Sequence, residues 1–237
     1  KIKKINLDYK DIENKKNEIS IIRKNKFYLL SGNSININKL LEKLLNSKEQ
    51  NQKIFEGTNK IEININKVYL DEINEIENLN GYFILKNNDI IEANLKSQFS
   101  NKEFIKFTIS TKTNEKITTL FSAKAKPLVN RYKFIKGFDD GSLDFYSIKK
   151  GGNSISTLKI YDFKLKELPA LTKILTLASL QGIADLLSGE GIRFNEFEIK
   201  FNNKKNLMTI DEIYAIGPAI SILMSGYIES ERLISLR

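Results

Sequence analysis

The chain has 237 residues, 41% of them hydrophobic and 28% charged, which is ordinary globular usage and excludes a wholly disordered or collagen-like polymer. It holds no cysteine and no histidine, which excludes a disulfide framework, a zinc or copper site of the usual nitrogen and sulfur ligands, a thiol nucleophile and an imidazole base. The formal charge is +9, yet only five of the 38 basic residues are arginine (Arg23, Arg131, Arg193, Arg232 and Arg237), whereas recognition of nucleic acid favours the guanidinium fork, so no nucleic-acid partner is expected.

Residues 1–60 carry 14 basic and 7 acidic groups, and residues 61–237 carry 24 and 22, so the excess is N-terminal. It is expected to be the solvated surface of a strand-rich region rather than a membrane contact. Ile19 to Ile22, Phe27 to Leu30 and Ile35 to Ile37 read as strands around a turn at Ser31-Gly32-Asn33. Leucines at 40, 41, 44 and 45 then predict a short amphipathic helix over Lys39 to Ser47, with Asn38 as its N-cap.

Period-two alternation dominates from there. Ile61, Ile63 and Ile65 alternate with Glu62, Asn64 and Asn66, and Ile105, Phe107 and Ile109 alternate with Lys106, Thr108 and Ser110, so each segment is a strand with one wet and one apolar face. Leu79 to Leu85 and Ile90 to Leu95 form a hairpin, and further strands are expected at Thr118 to Ala123, Gly141 to Ile148 and Ser156 to Leu165. Strands that follow one another through turn-length connections argue for an antiparallel meander rather than βαβ units.

Pro169 to Ser188 breaks the rhythm, with Leu171, Ile174, Leu175 and Ala178 at helical spacing and Gly189 and Gly191 beyond its end, so one or two helices are predicted there. Phe197, Ile199 and Phe201 restore the alternation, followed by strands at Met208 to Ile213 and Ile220 to Ile228. Ala219 to Met224 is almost wholly apolar, which predicts a strand covered on both faces.

The catalytic motifs in the chain are poor. Ser147-Ile148-Lys149-Lys150 and Ser156-Thr157-Leu158-Lys159 match Ser-x-x-Lys, but that chemistry wants both groups on one helical face, and in a strand positions three apart face oppositely. Gly-Phe-Asp-Asp-Gly at 137–141 reads as a solvated turn, since the spacing of a calcium loop is missing. No enzyme activity, cofactor or metal is expected. A sheet whose apolar face recurs strand after strand needs a second layer, and alternation alone leaves a sandwich, a closed barrel or an open curved sheet.

A family resemblance lies in the C-terminal half. Phe134-Ile135-Lys136-Gly137-Phe138, Gly141-Ser142-Leu143-Asp144-Phe145, Leu158-Lys159-Ile160-Tyr161-Asp162-Phe163, Leu168-Pro169-Ala170-Leu171, Leu175-Thr176-Leu177-Ala178-Ser179-Leu180-Gln181-Gly182-Ile183 and Leu186-Leu187-Ser188-Gly189-Glu190-Gly191-Ile192-Arg193-Phe194 together resemble the C-terminal region of AsmA-like envelope proteins. Ile216-Gly217-Pro218-Ala219-Ile220 and Met224-Ser225-Gly226-Tyr227-Ile228 continue the pattern, which is specific over residues 134–228 and weaker over 57–133.

The resemblance implies a mainly β protein: a long, curved, largely antiparallel sheet forming an open apolar groove, with one or two helices packed on or capping it near 169–188. It implies N-terminal strands and a short helix in 1–56, repeating strand units in 57–133 and the AsmA-like region in 134–237. It also implies a role and a place, as a segment of a bridge that carries phospholipid between the membranes of a Gram-negative bacterium, in the periplasmic part of a protein anchored in the inner membrane. No stretch of the chain is apolar enough to be that anchor, and neither Met208 nor Met224 stands first, so the chain is expected to be a segment of a longer protein. On this reading Ile61, Ile63, Ile65, Ile105, Phe107, Ile109, Phe197, Ile199 and Phe201 line the groove. The alternative is a structural or assembly module that binds other envelope proteins through its sheet edges.

Overall fold

The computed structural model describes residues 3–41, 57–87, 89–131, 137–166, 189, 191–204, 207–229 and 232–236. Strand accounts for 74% of the described residues, in a single, largely antiparallel sheet that is not closed, so the chain is mainly β and the closed barrel falls away. Two compact units divide it, Lys1–Thr111 and Lys112–Arg237.

The first unit contains β1 (Lys4–Lys10), β2 (Lys16–Arg23), β3 (Phe27–Asn36), β4 (Thr58–Tyr69), β5 (Glu75–Lys86), β6 (Asp89–Gln98) and nearly all of β7 (Phe104–Lys112). Each strand lies beside its neighbours in sequence. One pair departs from the expected meander: β3 and β4 run parallel, from Phe27 opposite Lys60 to Asn36 opposite Tyr69. Parallel neighbours need a crossover of a dozen or more residues, commonly helical, and residues 37–57 supply that length. The predicted helix begins within it, at 38–41, and its remainder lies outside the described residues.

β3 is one strand where a turn at Ser31-Gly32-Asn33 is predicted. Gly32 sits where the β2–β3 register slips, and a Cβ there would lie 2.1 Å from the Glu18 carbonyl oxygen, so this glycine allows close backbone approach rather than a reversal. Strand β1 goes beyond the sequence prediction. It is held at its C-terminal end by Asp11, whose Oδ1 accepts the N–H groups of Glu13 and Lys15 and whose Oδ2 accepts the amides of Asn17 and Asn36. Asn17, 1% exposed, in turn accepts the Asn36 N–H at 2.8 Å. Burial pushes the Asp11 carboxyl up, but these hydrogen bonds outweigh it and hold the group below its ordinary value.

The second unit contains β8 (Glu115–Ser122), a short helix at Lys126–Val129, β9 (Phe138–Lys150), β10 (Asn153–Leu165), β11 (Ile192–Lys204), β12 (Leu207–Ile216), β13 (Ser221–Glu229) and β14 (Arg232–Leu236), all paired antiparallel in chain order. The helices predicted over 169–188 lie outside the described residues. β13 is not covered on both faces as predicted: Leu223 is 72% exposed while Ile222 and Met224 beside it are half-buried, so it alternates like the rest.

The predicted turn at 137–141 also proves to be strand from Phe138 on. Asp139 and Asp140 lie in β9, where positive φ at Asp140 (62°), Gly141 (80°) and Asp162 (51°) marks a local irregularity. The Asp139 carboxylate accepts Lys126 Nζ at 2.6 Å and Lys166 Nζ at 2.7 Å, which ties the helix Lys126–Val129 and the end of β10 to β9. Above this clamp, Phe163 stacks between Phe138 and Phe194 at 5.2 and 5.3 Å between ring centroids.

Lys126 and then Lys166 hold the Asp139 carboxyl well below the usual carboxylate range, so the pair of contacts stabilises the fold above the unfolded pKa of about 3.9 and loses that effect as pH falls below it. Asp139→Asn is expected to lower Tm at pH 7, with the gap to the native protein narrowing below about pH 4. Thermal melts across that range check it, and a gap that stays constant into strong acid would assign the loss to packing instead.

Candidate apolar binding face

Alternation puts every second side chain on one face, and the register decides which of them meet. In the first unit the partners form a row that crosses all seven strands: Ile5, Ile21, Leu30, Ile63, Gly81, Leu95 and Phe107. A second row runs Tyr28, Ile61, Phe83, Ala93 and Ile109 across β3 to β7. A third brings Leu7, Ile19, Gly32, Ile65 and Leu79 together across β1 to β5. The two isoleucine-rich sets predicted in this unit, Ile61 to Ile65 and Ile105 to Ile109, therefore share one face.

Gly81 is what lets the first row pass from β4 to β6. Its φ is +137°, and a Cβ would lie 1.9 Å from the Asn94 carbonyl oxygen, so no other residue fits this approach of β5 to β6.

The opposite face is wet. Asn6, Ser20, Ser31, Asn64, Asn80, Lys96 and Lys106 form a polar row through the same seven strands. Cross-strand bonds join it, Ser20 Oγ donating to Asn6 at 2.9 Å and Tyr82 to Glu92 at 2.6 Å.

The second unit repeats the design. One row runs Leu120, Phe145, Leu158, Ile199, Ile213 and Met224, and another runs Leu143, Ile160, Phe197, Ala215 and Ile222. Phe201 pairs with Ser156 on one side and Ile210 on the other, so all three residues predicted on β11 lie on one apolar face. Its wet face carries a lattice of charge: Lys159 meets Glu198 at 2.8 Å and Lys200 meets Glu198 at 3.2 Å. Each shifts the other as partners should, Lys159 raised by its bond to Glu198 and Glu198 lowered chiefly by Lys159.

Burial divides each apolar face into a sealed part and an open part. Val68, Leu70, Ile76 and Phe99 are sealed at one end of the first unit, and Phe138, Phe163, Ile192 and Phe194 at one end of the second. Of the nine predicted positions, Ile63, Ile65 and Ile109 are buried, and Ile61, Ile105, Phe107, Phe197, Ile199 and Phe201 are half-buried. All described strands belong to one sheet order, so among the described residues no strand of a second sheet is present to cover these positions. Such a face gains roughly 25 cal/mol for each Å² of apolar surface taken out of water, whatever covers it.

The rows also hold residues that sequence reasoning did not single out, among them Leu30, Phe83, Leu95, Leu158 and Ile213. Their alternation is visible in the sequence but is broken by bulges and by Gly81, and only pairing to a cleaner strand gives them a face.

The Ser-x-x-Lys match at 156–159 does not bring its serine and lysine together. Ser156 stands on the apolar face, its Oγ 2.9 Å from that of Ser147, while Lys159 is committed to Glu198 on the other. Among the described residues no group of three acidic side chains gathers as a metal site, and no helix is long and apolar enough to cross a membrane. No family model, curated protein or solved structure matches the chain.

The sealed and open parts respond differently to charge. Phe194, 2% exposed, has no water to hydrate a carboxylate, so Phe194→Asp is expected to cost about 3 kcal/mol or more. Half-buried Ile199 keeps access to solvent, and Ile199→Asp is expected to cost less than half as much. Urea denaturation of the two variants measures this, and equal losses would mean that both positions belong to one closed core.

Proposed function

We propose that this chain is a segment of a lipid-transfer path, holding phospholipid acyl chains against the apolar face of an open β sheet. One observation carries the reading. Apolar side chains stand in register from strand to strand, across all seven strands of the first unit and from β8 to β13 of the second, and the described strands form no second sheet.

An acyl chain contributes about 0.8 kcal/mol for each CH₂ removed from water, and a row with no polar interruption offers it near-equal energy at successive strands. Movement along such rows needs no catalytic residue. Direction would come from supply at one end and removal at the other. The resemblance to AsmA-like proteins supports the same role and sets it in the periplasm of a Gram-negative envelope, in a parent protein anchored in the inner membrane.

A second reading is favoured by β1. Among the described residues this edge strand has one hydrogen-bonded neighbour, β2, and it exposes Leu7 and Tyr9, so its other side offers a template for strand addition by an envelope partner.

Phe107→Asp separates the lipid reading from a closed core. A carboxylate on a face that lipid alone covers hydrates when the lipid leaves, so the fold should survive while bound phospholipid, measured by mass spectrometry after gentle extraction, falls several-fold. Lost stability with unchanged lipid, or lipid-free native protein, would defeat the proposal.

A further inference from the structure

The strand registers sort the N-terminal charge by strand end. At the end of the first unit where β1 begins and β2 finishes stand Lys3, Arg23, Lys24, Lys26, Lys60 and Lys86, brought together by the Arg23 N–H on the Lys3 carbonyl (2.9 Å), the turn closed by Lys24 on Phe27 (2.8 Å), and the pairs Phe27–Lys60 and Thr58–Lys86. The described acids near this end are few: Glu62, bound to Lys60 at 2.7 Å, Glu92, which accepts the Tyr82 hydroxyl, and Asp89. The opposite end mixes Asp11, Glu13, Asp71, Glu72 and Glu103 with Lys10, Lys15 and Lys102. Unequal strand ends were invisible in a simple count of lysines.

Arg23 differs from the lysines in its place. It stands on the apolar face, in register with Tyr28 and through it with Ile61, Phe83, Ala93 and Ile109. It is exposed, its guanidinium lies 5.9 Å from the centroid of the Tyr28 ring, and it has no carboxylate partner among the described residues. A guanidinium at the head of an apolar row, with an aromatic ring between, has the order of an amphiphile's complement: fork for a phosphate, ring for the interface, aliphatic side chains for the tail.

We infer that this end is the headgroup rim of the apolar face and that the lipid it takes is anionic, its phosphate on Arg23 with Lys24 and Lys26 close by and its acyl chains along the rows. The inference rests on the lipid reading above and adds a headgroup class and an orientation to it. Charge complementarity is the argument: the tail surface itself is uncharged, and the basic groups gather at one end of it.

The test is competition for the protein between phosphatidylglycerol and phosphatidylcholine of the same acyl chains, offered as vesicles of equal composition, with retained lipid counted by mass spectrometry. Native protein is expected to favour phosphatidylglycerol about tenfold at low salt, the scale of one charge-assisted contact. Arg23→Glu/Lys24→Glu should abolish the preference while phosphatidylcholine is still retained. Lys10→Glu/Lys102→Glu, an equal change of net charge at the other end, should keep it.

Retention of both lipids without preference, or equal loss in the two double variants, overturns the rim and leaves the apolar face standing. Retention of neither lipid by native protein overturns the rim and the lipid reading together. Displacement of phosphatidylglycerol by inorganic phosphate alone, or by a single-stranded oligonucleotide that binds more tightly, overturns it in favour of a site that needs no acyl chain.

Discussion

Each strand hydrogen-bonds to the strands before and after it in sequence, and that ladder decides which side chains share a face. A one-residue slip of β4 against its neighbours would carry Ile63 to the wet side and Asn64 to the apolar side, breaking a row that spans seven strands. The rows therefore depend on register before they depend on hydrophobicity. Where the chain does slip, it does so at places that tolerate it: Gly32 beside the extra residue Asn33 of β3, Asn78 (φ 55°) beside the β5–β6 irregularity, and the Asp140, Gly141 and Asp162 cluster of β9 and β10.

Stability and openness are assigned to different parts of the same face. In the second unit, three stacked phenylalanines and the Asp139 clamp hold one end of the sheet, which leaves Ile199 and Phe201 half-buried nearer the other. In the first, Asn17 and Asp11 fix the turn after β1 to the end of β3, and Val68, Leu70, Ile76 and Phe99 seal the apolar side of that end. The same end carries the mixed charge, and the basic residues lie across the sheet from it. A face closed at one end and cationic at the other has a polarity along its strands as well as a wet and a dry side.

Much of this was legible in the residues. Clean alternation at Ile61 to Ile65, Ile105 to Ile109 and Phe197 to Phe201 identified strands and the faces of each, and those faces hold. The parallel β3–β4 pair was not legible, because a helix predicted between two strands does not by itself say whether the second strand returns beside the first or in which direction it runs. β1 and β14 were missed because short edge strands with frequent lysine or few residues have weak patterns. Asp139 was misread for a different reason: two adjacent acids between glycines resemble a turn until the lysines that neutralise one of them, 13 and 27 residues away, are brought beside it. The half-buried state of the rows was likewise beyond the sequence, which records that a side chain is apolar and not what covers it.

Photocrosslinking tests the central claim most directly. A phospholipid carrying a diazirine near the end of one acyl chain, loaded into the native protein and activated by light, reports by peptide mass spectrometry which side chains the tail touches. The account predicts adducts at apolar-row positions such as Leu30, Leu95, Phe107, Leu158 and Ile199, and none at Asn64, Asn94, Lys106 or Glu198 on the wet face. Adducts spread equally over both faces, or confined to the outer edge of β1, would contradict it.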